Sequence, residues 1–255
     1  MELRQLGATG LRVSTIGLGT TKLGRNEQVK YPHAFALPSD EQVRSLLATA
    51  HELGINLIDT APAYGSSEER IGALLPKPEQ WVVATKVGES FDDGVSRFDF
   101  SSDAIHASVH RSCRRLRRER LDIVLLHCGD DDLAVLRDGS AMAALATLQR
   151  AGRIGAIGAS TKSIEAGLAA VAVCDVVMLS LNREDHTQRP VIEAARRAGK
   201  GVLIKKPLAS GHDADPGRAL AEVLSEPGVA AAIVGTLDTG HLRQNCAAVE
   251  ANSLP

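Results

Sequence analysis

The stretch Leu121-Asp122-Ile123-Val124-Leu125-Leu126-His127 is apolar at almost every position and then ends on a titratable side chain. A half-exposed strand alternates apolar and polar residues, so a run of this kind reads as a strand covered on both faces, as in a parallel sheet. Trp81-Val82-Val83-Ala84-Thr85-Lys86 and Ile55-Asn56-Leu57-Ile58-Asp59 repeat the pattern and again close on a charged residue. Five more runs, at 15–19, 156–159, 176–179, 201–205 and 230–234, bring the total to eight. Amphipathic stretches separate them. Ser39-x-x-Gln42 and Ser66-x-x-Glu69 have capping-box spacing, Asp215-Pro216 sets an N-cap before a proline, and Thr239 is expected to cap the last helix. Gly54, Gly152 and Gly199 stand as helix stops just before strands. Eight strand–helix units imply right-handed βαβ crossovers, and the lack of a polar edge strand favours closure. Two short runs at 3–6 and 11–13 flank Gly7-Ala8-Thr9-Gly10 and predict a hairpin that plugs one end. The expected fold is α/β: a single (β/α)8 TIM barrel domain over residues 1–255, its bottom closed by an N-terminal β-hairpin.

Composition narrows the function. The chain has 255 residues, the usual size of one such barrel, with 29 Lys and Arg against 31 Asp and Glu and a net charge of −2. That balance argues against a nucleic-acid binder. No apolar run reaches the ~18–20 residues that span a bilayer, and the start lacks the apolar core of a secretory signal. Cys113, Cys128, Cys174 and Cys246 lack metal-ligand spacing and read as free thiols of a reducing compartment, so a cytoplasmic location is expected. One connection, 20–38, is long and has no clear helix; a rim role is expected for it, with Tyr31, His33 and Phe35 as candidates for substrate contact.

Barrel chemistry sits at the carboxyl ends of the strands. That rim reads Thr20, Asp59, Lys86, His127, Ser160, Asn182, Lys205 with Lys206, and Gly235-Thr236, with Tyr64 five positions after Asp59. Taken singly, an Asp at a strand end is usually a cap and a Lys at a rim is usually solvated. Four ionisable types at neighbouring strand ends change that reading. A phenol ordinarily loses its proton near pH 10, and an adjacent ammonium is expected to lower that value. Asp59 would hold Lys86, and His127 would hydrogen-bond a substrate oxygen. Such a set suits proton transfer at a carbonyl, and the hydride that must accompany it implies a nicotinamide cofactor. Two rival readings remain: a barrel lyase or aldolase with Lys86 as Schiff base, and a nucleotide-binding redox sensor with little turnover.

Ile58-Asp59-Thr60-Ala61-x-x-Tyr64-Gly65, Glu68 or Glu69 before Ile71-Gly72, Thr85-Lys86, Leu121-Asp122-x-x-Leu125-Leu126-His127 and Gly235-Thr236…His241-Leu242-x-x-Asn245 together resemble the aldo-keto reductase superfamily, in order along nearly the whole chain. The resemblance implies a catalytic tetrad of Asp59, Tyr64, Lys86 and His127, with Tyr64 as general acid/base. It implies a cofactor laid across the barrel mouth, NADPH by the family's habit with NADH open, and no metal. Asp59, Thr20, Ser160, Thr161, Met178 and Lys205 then fall near the nicotinamide; Lys206, Pro207, Leu208 and Ser210 near the pyrophosphate; Gly235, Thr236, His241, Gln244 and Asn245 near the adenosine end. The partner is a small-molecule carbonyl (aldehyde, ketone or sugar) or the matching alcohol, for a monomer or small homo-oligomer. Three positions depart from the family's pattern: Thr161 replaces an Asn, Met178 a Gln, and Lys205 an aromatic that stacks on the ring. Gly17-x-Gly19 lacks a third glycine, so a Rossmann reading is weak.

Other signals read as structural. The arginines within 114–120 are expected on a solvated face, His106 and His110 lack the Glu of a zinc motif, and Asp130-Asp131-Asp132 cannot all face one ion.

Overall fold

A computed structural model describes residues 1–252. Its strands are β1 (Leu3–Gln5), β2 (Arg12–Ser14), β3 (Ile16–Gly19), β4 (Leu57–Asp59), β5 (Val82–Val87), β6 (Glu89–Asp92), β7 (Val95–Phe98), β8 (Leu121–His127), β9 (Ile154–Ser160), β10 (Val176–Ser180), β11 (Gly201–Lys205) and β12 (Ala231–Val234). Its helices are α1 (Thr21–Gly24), α2 (Asp40–Glu52), α3 (Ser67–Leu74), α4 (Ser102–Leu116), α5 (Asp132–Asp138), α6 (Ser140–Arg150), α7 (Ile164–Val173), α8 (Arg189–Arg197), α9 (Pro216–Ser225) and α10 (Thr239–Asn252).

β3, β4, β5, β8, β9, β10, β11 and β12 close, in that order, into a barrel whose neighbours are parallel. Each strand sends alternate residues to its two faces. Leu57, Ala84, Ile123, Leu125, Ala156, Val176, Met178, Leu203, Ala231 and Ile233 fill the interior. The intervening Ile58, Val83, Val124, Leu126, Ile157, Val177, Ile204 and Ala232 pack outward under the helices. Continuing the inward register towards the carboxyl ends brings Asp59, Lys86, His127, Ser160, Ser180 and Lys205 to the mouth. The barrel core thus changes from apolar to polar along its own axis, and the polar end carries the site.

β1 and β2 pair as the expected hairpin and seal the opposite end. Leu6 is buried with the interior residues, and Ala8 donates its amide to Gly199 O at 2.9 Å. Gly7 is required there: its φ is +53°, and a Cβ would lie 2.3 Å from Gly201 N.

Several local expectations change. Ser39 and Gln42 form the capping box, and Asp215 accepts from Arg218 N. Ser66 makes no such bond, and α3 begins without a side-chain cap. At α10 the cap is Asp238, whose carboxylate accepts from the amides of Gly240 and His241, while Thr239 opens the helix. The long 20–38 connection contains the one-turn α1. The antiparallel ribbon β6–β7 was not anticipated; it turns at Asp93-Gly94, both at positive φ (+52° and +73°), the conformation that a tight hairpin demands.

Candidate active site

Asp59 ends β4, and the chain then folds into a tight turn, Pro62–Tyr64, that swings the phenol of Tyr64 back over the barrel. Gly65 follows at φ +59°, and a Cβ on it would sit 2.2 Å from Gly24 O, so this turn is pressed directly against α1. Hydroxyls hold the segment from behind. Thr20 Oγ1 donates to Asp59 O at 2.8 Å, and Ser67 Oγ reaches Thr20 Oγ1 at 2.9 Å and Thr60 Oγ1 at 3.1 Å. Thr20 therefore positions Asp59, and its hydroxyl is already engaged.

From β5, the next strand, Lys86 enters the same space. It is 1% exposed, and its Nζ donates to Asp59 Oδ1 at 2.5 Å, Thr60 O at 2.9 Å and Tyr64 Oη at 3.1 Å. Three acceptors use the three donors of an ammonium. Burial opposes the charge of Lys86, but Asp59 and Tyr64 outweigh it and hold the lysine above its ordinary value. Tyr64 moves up as well. Burial is the dominant cause, and Lys86 pulls the other way without overcoming it. The sequence-based expectation of a lowered phenol is thus met in the sign of the lysine's contribution and overturned in the net direction.

His127 closes β8, with its ring edge-on to Tyr64 at a centroid distance of 6.1 Å. Burial, together with Lys86 and Lys205, keeps it below the usual histidine value despite the opposing pull of Glu89. Nδ1 lies 2.7 Å from Glu89 Oε2, a close ion-pair distance, although the ring N–H is not aimed squarely along that line. Glu89 was absent from the sequence reading because it sits on the unanticipated β6. The signal that could have found it is Asp93-Gly94 between Phe91 and Val95, a hairpin turn that would bring Glu89 back beside β8.

The remaining candidates divide. Ser160 and Lys205 meet at the mouth, where Lys205 Nζ donates to Ser160 Oγ at 2.9 Å and Thr161 O at 2.8 Å. No carboxylate partners Lys205; burial, with Lys206 and Lys86 nearby, brings it down to about 7. Thr161 Oγ1 is buried without a partner. Met178 lies within the apolar interior, level with Leu203, and its strand reaches the mouth at Ser180. Lys206, Pro207, Leu208 and Ser210 form the turn after β11, in which Lys206, Ala209 and Ser210 all adopt positive φ. Asn182 is spent on structure, accepting from Glu184 N and Asp185 N and donating to Lys206 O. Thr236 Oγ1 accepts from Asp238 N, Asn245 is buried, and His241 and Gln244 are exposed. The first α10 amides, of Gly240 and His241, are taken by Asp238, and Arg243 pairs with Glu52 at 3.1 Å.

The 20–38 connection crosses this mouth. Tyr31 Oη lies beside Gly235, and its phenol is pushed up to about 12 by burial, with Tyr64 and Asp59 adding to the effect. Phe35 packs edge-on to Tyr31 at 5.7 Å, Lys22 Nζ sits 4.1 Å over the Tyr31 ring, and Pro32 borders Gly211. His33 is exposed. A groove of about 570 Å³ opens between the β6–β7 ribbon and helices α3 and α4, with Glu89, Phe91, Arg97 and Arg111 in its walls. It lies beside the Asp59–Lys86–Tyr64 cluster, whose side chains do not line it.

Arg115 and Arg118, expected on a solvated face, are partly covered. Arg115 pairs with Glu69 and Arg118 with Asp122. Asp132 binds the amides of Lys162 and Ser163, and Asp130 pairs with Lys162. Among the described residues no cluster could hold a metal ion, and no helix is long and apolar enough to cross a membrane.

A sequence model of the aldo/keto reductase family matches residues 15–214. The chain belongs to this family. An aldo-keto reductase assignment also attaches to the Pseudomonas aeruginosa protein PA4992, which is 46% identical to this chain, with a TM-score of 0.90 over 98% of this chain and 94% of that one. The holo form of the aldo-keto reductase AKR11C1 from Bacillus halodurans shares the fold at a TM-score of 0.85, covering 100% of this chain and 93% of that one at 24% identity. Among named relatives, the chain is 36% identical over 142 residues to L-galactose dehydrogenase of Arabidopsis thaliana (53% of this chain, 40% of that protein). It is 28% identical over 227 residues to D-threo-aldose 1-dehydrogenase of a Pseudomonas species (80% of this chain, 62% of that protein). These alignments span less than two thirds of each named dehydrogenase. The chain carries its ionisable cluster at the carboxyl ends of a closed parallel barrel.

Proposed function

We propose that this aldo-keto reductase is a nicotinamide-dependent oxidoreductase that interconverts a carbonyl and an alcohol, with Tyr64 as the proton-transferring group. One observation carries the reading: a buried ammonium, Lys86, is held by Asp59 while touching the phenol oxygen of Tyr64. When bound, the dinucleotide supplies or accepts the hydride. Tyr64 gives its hydroxyl proton to the substrate oxygen in reduction and takes it back in oxidation. Lys86 stabilises the phenolate that results, and Asp59 keeps Lys86 charged and in place.

The residues at the mouth fit such a dinucleotide. Thr161 Oγ1, buried without a partner beside Ser160, suits the amide of a nicotinamide. Burial and the charges of Lys30 and Lys162 both oppose the charge of Lys206, and a diphosphate placed there would relieve that repulsion. NADPH is the preferred form in this reading by the family's habit, and NADH stays open because Arg243, the candidate clamp for a 2′-phosphate, pairs with Glu52. An aldose is the favoured substrate class, by likeness to the L-galactose and D-threo-aldose dehydrogenases. A Schiff-base role for Lys86 has no support in its environment, since an ammonium with three acceptors is a poor nucleophile.

The test is fluorescence titration with NADPH and NADH on wild type and Tyr64→Phe. Binding is expected to survive the substitution, while turnover of aldehydes and aldoses falls by on the order of 10²-fold or more. Wild-type rates in Tyr64→Phe would remove Tyr64 from the mechanism. Tight nucleotide binding without turnover in the wild type would favour the sensor reading.

A further inference from the structure

Two lysines reach the barrel mouth, and one of them brings no counter-charge. Lys86 is held by the carboxylate of Asp59 and places its three hydrogens on three acceptors. Lys205, at the end of β11, crosses to the end of β9, where Nζ donates to Ser160 Oγ at 2.9 Å and Thr161 O at 2.8 Å. Both acceptors are neutral, and among the described residues no carboxylate pairs with it. Two hydrogens on two acceptors suit an ammonium with one hydrogen left over, or an amine with a free lone pair.

The groups that face Lys205 add no anion. Lys206 follows it into the next turn, Lys86 faces it from β5 and Lys162 from the segment after β9, all three opposing its charge. On β8, His127 is held below its usual value partly by Lys205 itself. The adjoining thiol of Cys128 is pushed up to about 12 by burial and stays neutral. Burial and the three lysines bring Lys205 down to about 7, so it exchanges its proton near neutrality. What this cation lacks is a negative partner, and what it resists is a further positive one.

Lys205 adjoins the place proposed for the nicotinamide amide, the buried and unpartnered Oγ1 of Thr161. NADPH and NADP+ differ there by one charge: the reduced ring is neutral and the oxidised ring is a cation. An ammonium without a counter-ion meets that difference directly. We infer that Lys205 is a specificity-determining residue that reads the charge of the nicotinamide ring, admitting the reduced dinucleotide when protonated and opposing the oxidised one. The oxidised form then binds by displacing a proton from Lys205, so its affinity rises with pH relative to that of the reduced form. In a mixed pool on the acid side of neutrality the mouth fills with the reduced form, which favours carbonyl reduction. The inference rests on the proposed binding of a nicotinamide beside Thr161.

Isothermal titration calorimetry of the full chain with NADPH and with NADP+, from about pH 6 to about pH 8.5, measures both dissociation constants. Their ratio cancels the titration of groups that the two forms share, the 2′-phosphate among them. In the wild type the ratio of Kd for NADP+ to Kd for NADPH is expected to be about tenfold larger at the acid end, because each pH unit below the value of a competing group weakens binding up to tenfold. Near pH 7, buffers of different ionisation enthalpy should show more proton release with NADP+ than with NADPH. Lys205→Met is expected to keep NADPH binding and to make the ratio independent of pH. Lys205→Arg, which stays charged, should hold the acid-end ratio throughout. A flat ratio in the wild type overturns the inference and leaves the proposed function standing. So does a pH dependence that persists in Lys205→Met, which would assign the effect to His127. A pH-dependent ratio in Lys205→Arg overturns it as well, and decides the matter by itself if the Met variant fails to bind NADPH. Failure of both dinucleotides to bind the wild type defeats the proposed function, and this inference with it.

Discussion

Replacing Asp59 by Asn leaves Lys86 with an ammonium in a space where it is 1% exposed and where every acceptor is neutral: the new amide oxygen, Thr60 O and Tyr64 Oη. Breaking one side of a buried pair costs about 3–5 kcal/mol. The lysine can escape by losing its proton, but bringing a free lysine from ~10.4 to neutrality at pH 7 costs about 4–5 kcal/mol, so that route sets a ceiling of similar size. At roughly 2–4 °C per kcal/mol for a chain of this length, the thermal midpoint should fall by about 6–20 °C. The pH dependence follows from the direction at Lys86. In the wild type its folded value lies above the unfolded one, because Asp59 and Tyr64 outweigh the opposing burial. Its contribution is therefore complete below the unfolded value, ~10.5, and is lost as pH rises through the folded value. The gap between wild type and Asp59→Asn should accordingly be wide at pH 7 and narrow only above ~10.5, as pH approaches the folded value. Urea denaturation at several pH values measures it, with Lys86→Met and the double variant completing a cycle. Asp59→Asn/Lys86→Met should recover most of the loss, since it leaves no unpaired charge. An Asn variant within about 1 kcal/mol of wild type at pH 7, with no narrowing at high pH, would refute the buried pair as described.

Gly65→Ala should destabilise by more than about 2 kcal/mol, because φ is +59° and the new Cβ would meet Gly24 O at 2.2 Å. Denaturant unfolding checks the stability, and a matched fall in turnover would report displacement of the Tyr64 turn; an unchanged unfolding midpoint would contradict the contact. Glu68 is fully buried and accepts from Thr85 Oγ1 at 2.7 Å; burial is the main cause that raises its carboxyl above the usual range. Its contribution is thus complete below ~4.5 and lost as pH rises through the folded value. Glu68→Gln, which keeps an acceptor for Thr85, should gain on wild type between pH 4 and pH 8, and a difference that does not change with pH would show that burial leaves the carboxyl at its unfolded value.

The barrel was legible because parallel strands sandwiched between core and helices must be apolar on both faces, and 121–127 or 201–205 can hardly be anything else. The mouth was legible for the same reason: a titratable residue at the end of such a run has one place to go. What escaped was whatever depends on chain outside the barrel. Glu89-Ser90-Phe91-Asp92 is mostly polar because the ribbon it forms is half exposed, so periodicity gives little signal there, and only the Asp93-Gly94 turn betrays it. The side chain of Met178 joins the interior apolar layer, level with Leu203, while Ser180, one step of the pleat further on, is level with Lys205 at the mouth. Thr239 and Asp238 are adjacent acceptable caps by type, and the choice between them follows from backbone geometry that sequence does not encode locally.

The raised value of Tyr64 bears on the proposed chemistry in a way that a lowered one would not. A phenol acidic enough to ionise near neutrality would spend much of its time as phenolate and have no proton to give to a carbonyl. Burial keeps the hydroxyl protonated in the resting site, and Lys86 limits how costly the phenolate becomes without reversing the order. The proton need only move once negative charge gathers on the substrate oxygen, and an alkoxide is far more basic than any phenolate. What the site must supply is a stabilised product anion, and that comes from Lys86 at 3.1 Å from the phenol oxygen. The same logic explains why Asp59 belongs beside the lysine and not beside the tyrosine. Its charge raises Tyr64 further and acts against the phenolate directly, so its benefit reaches the reaction through the ammonium alone.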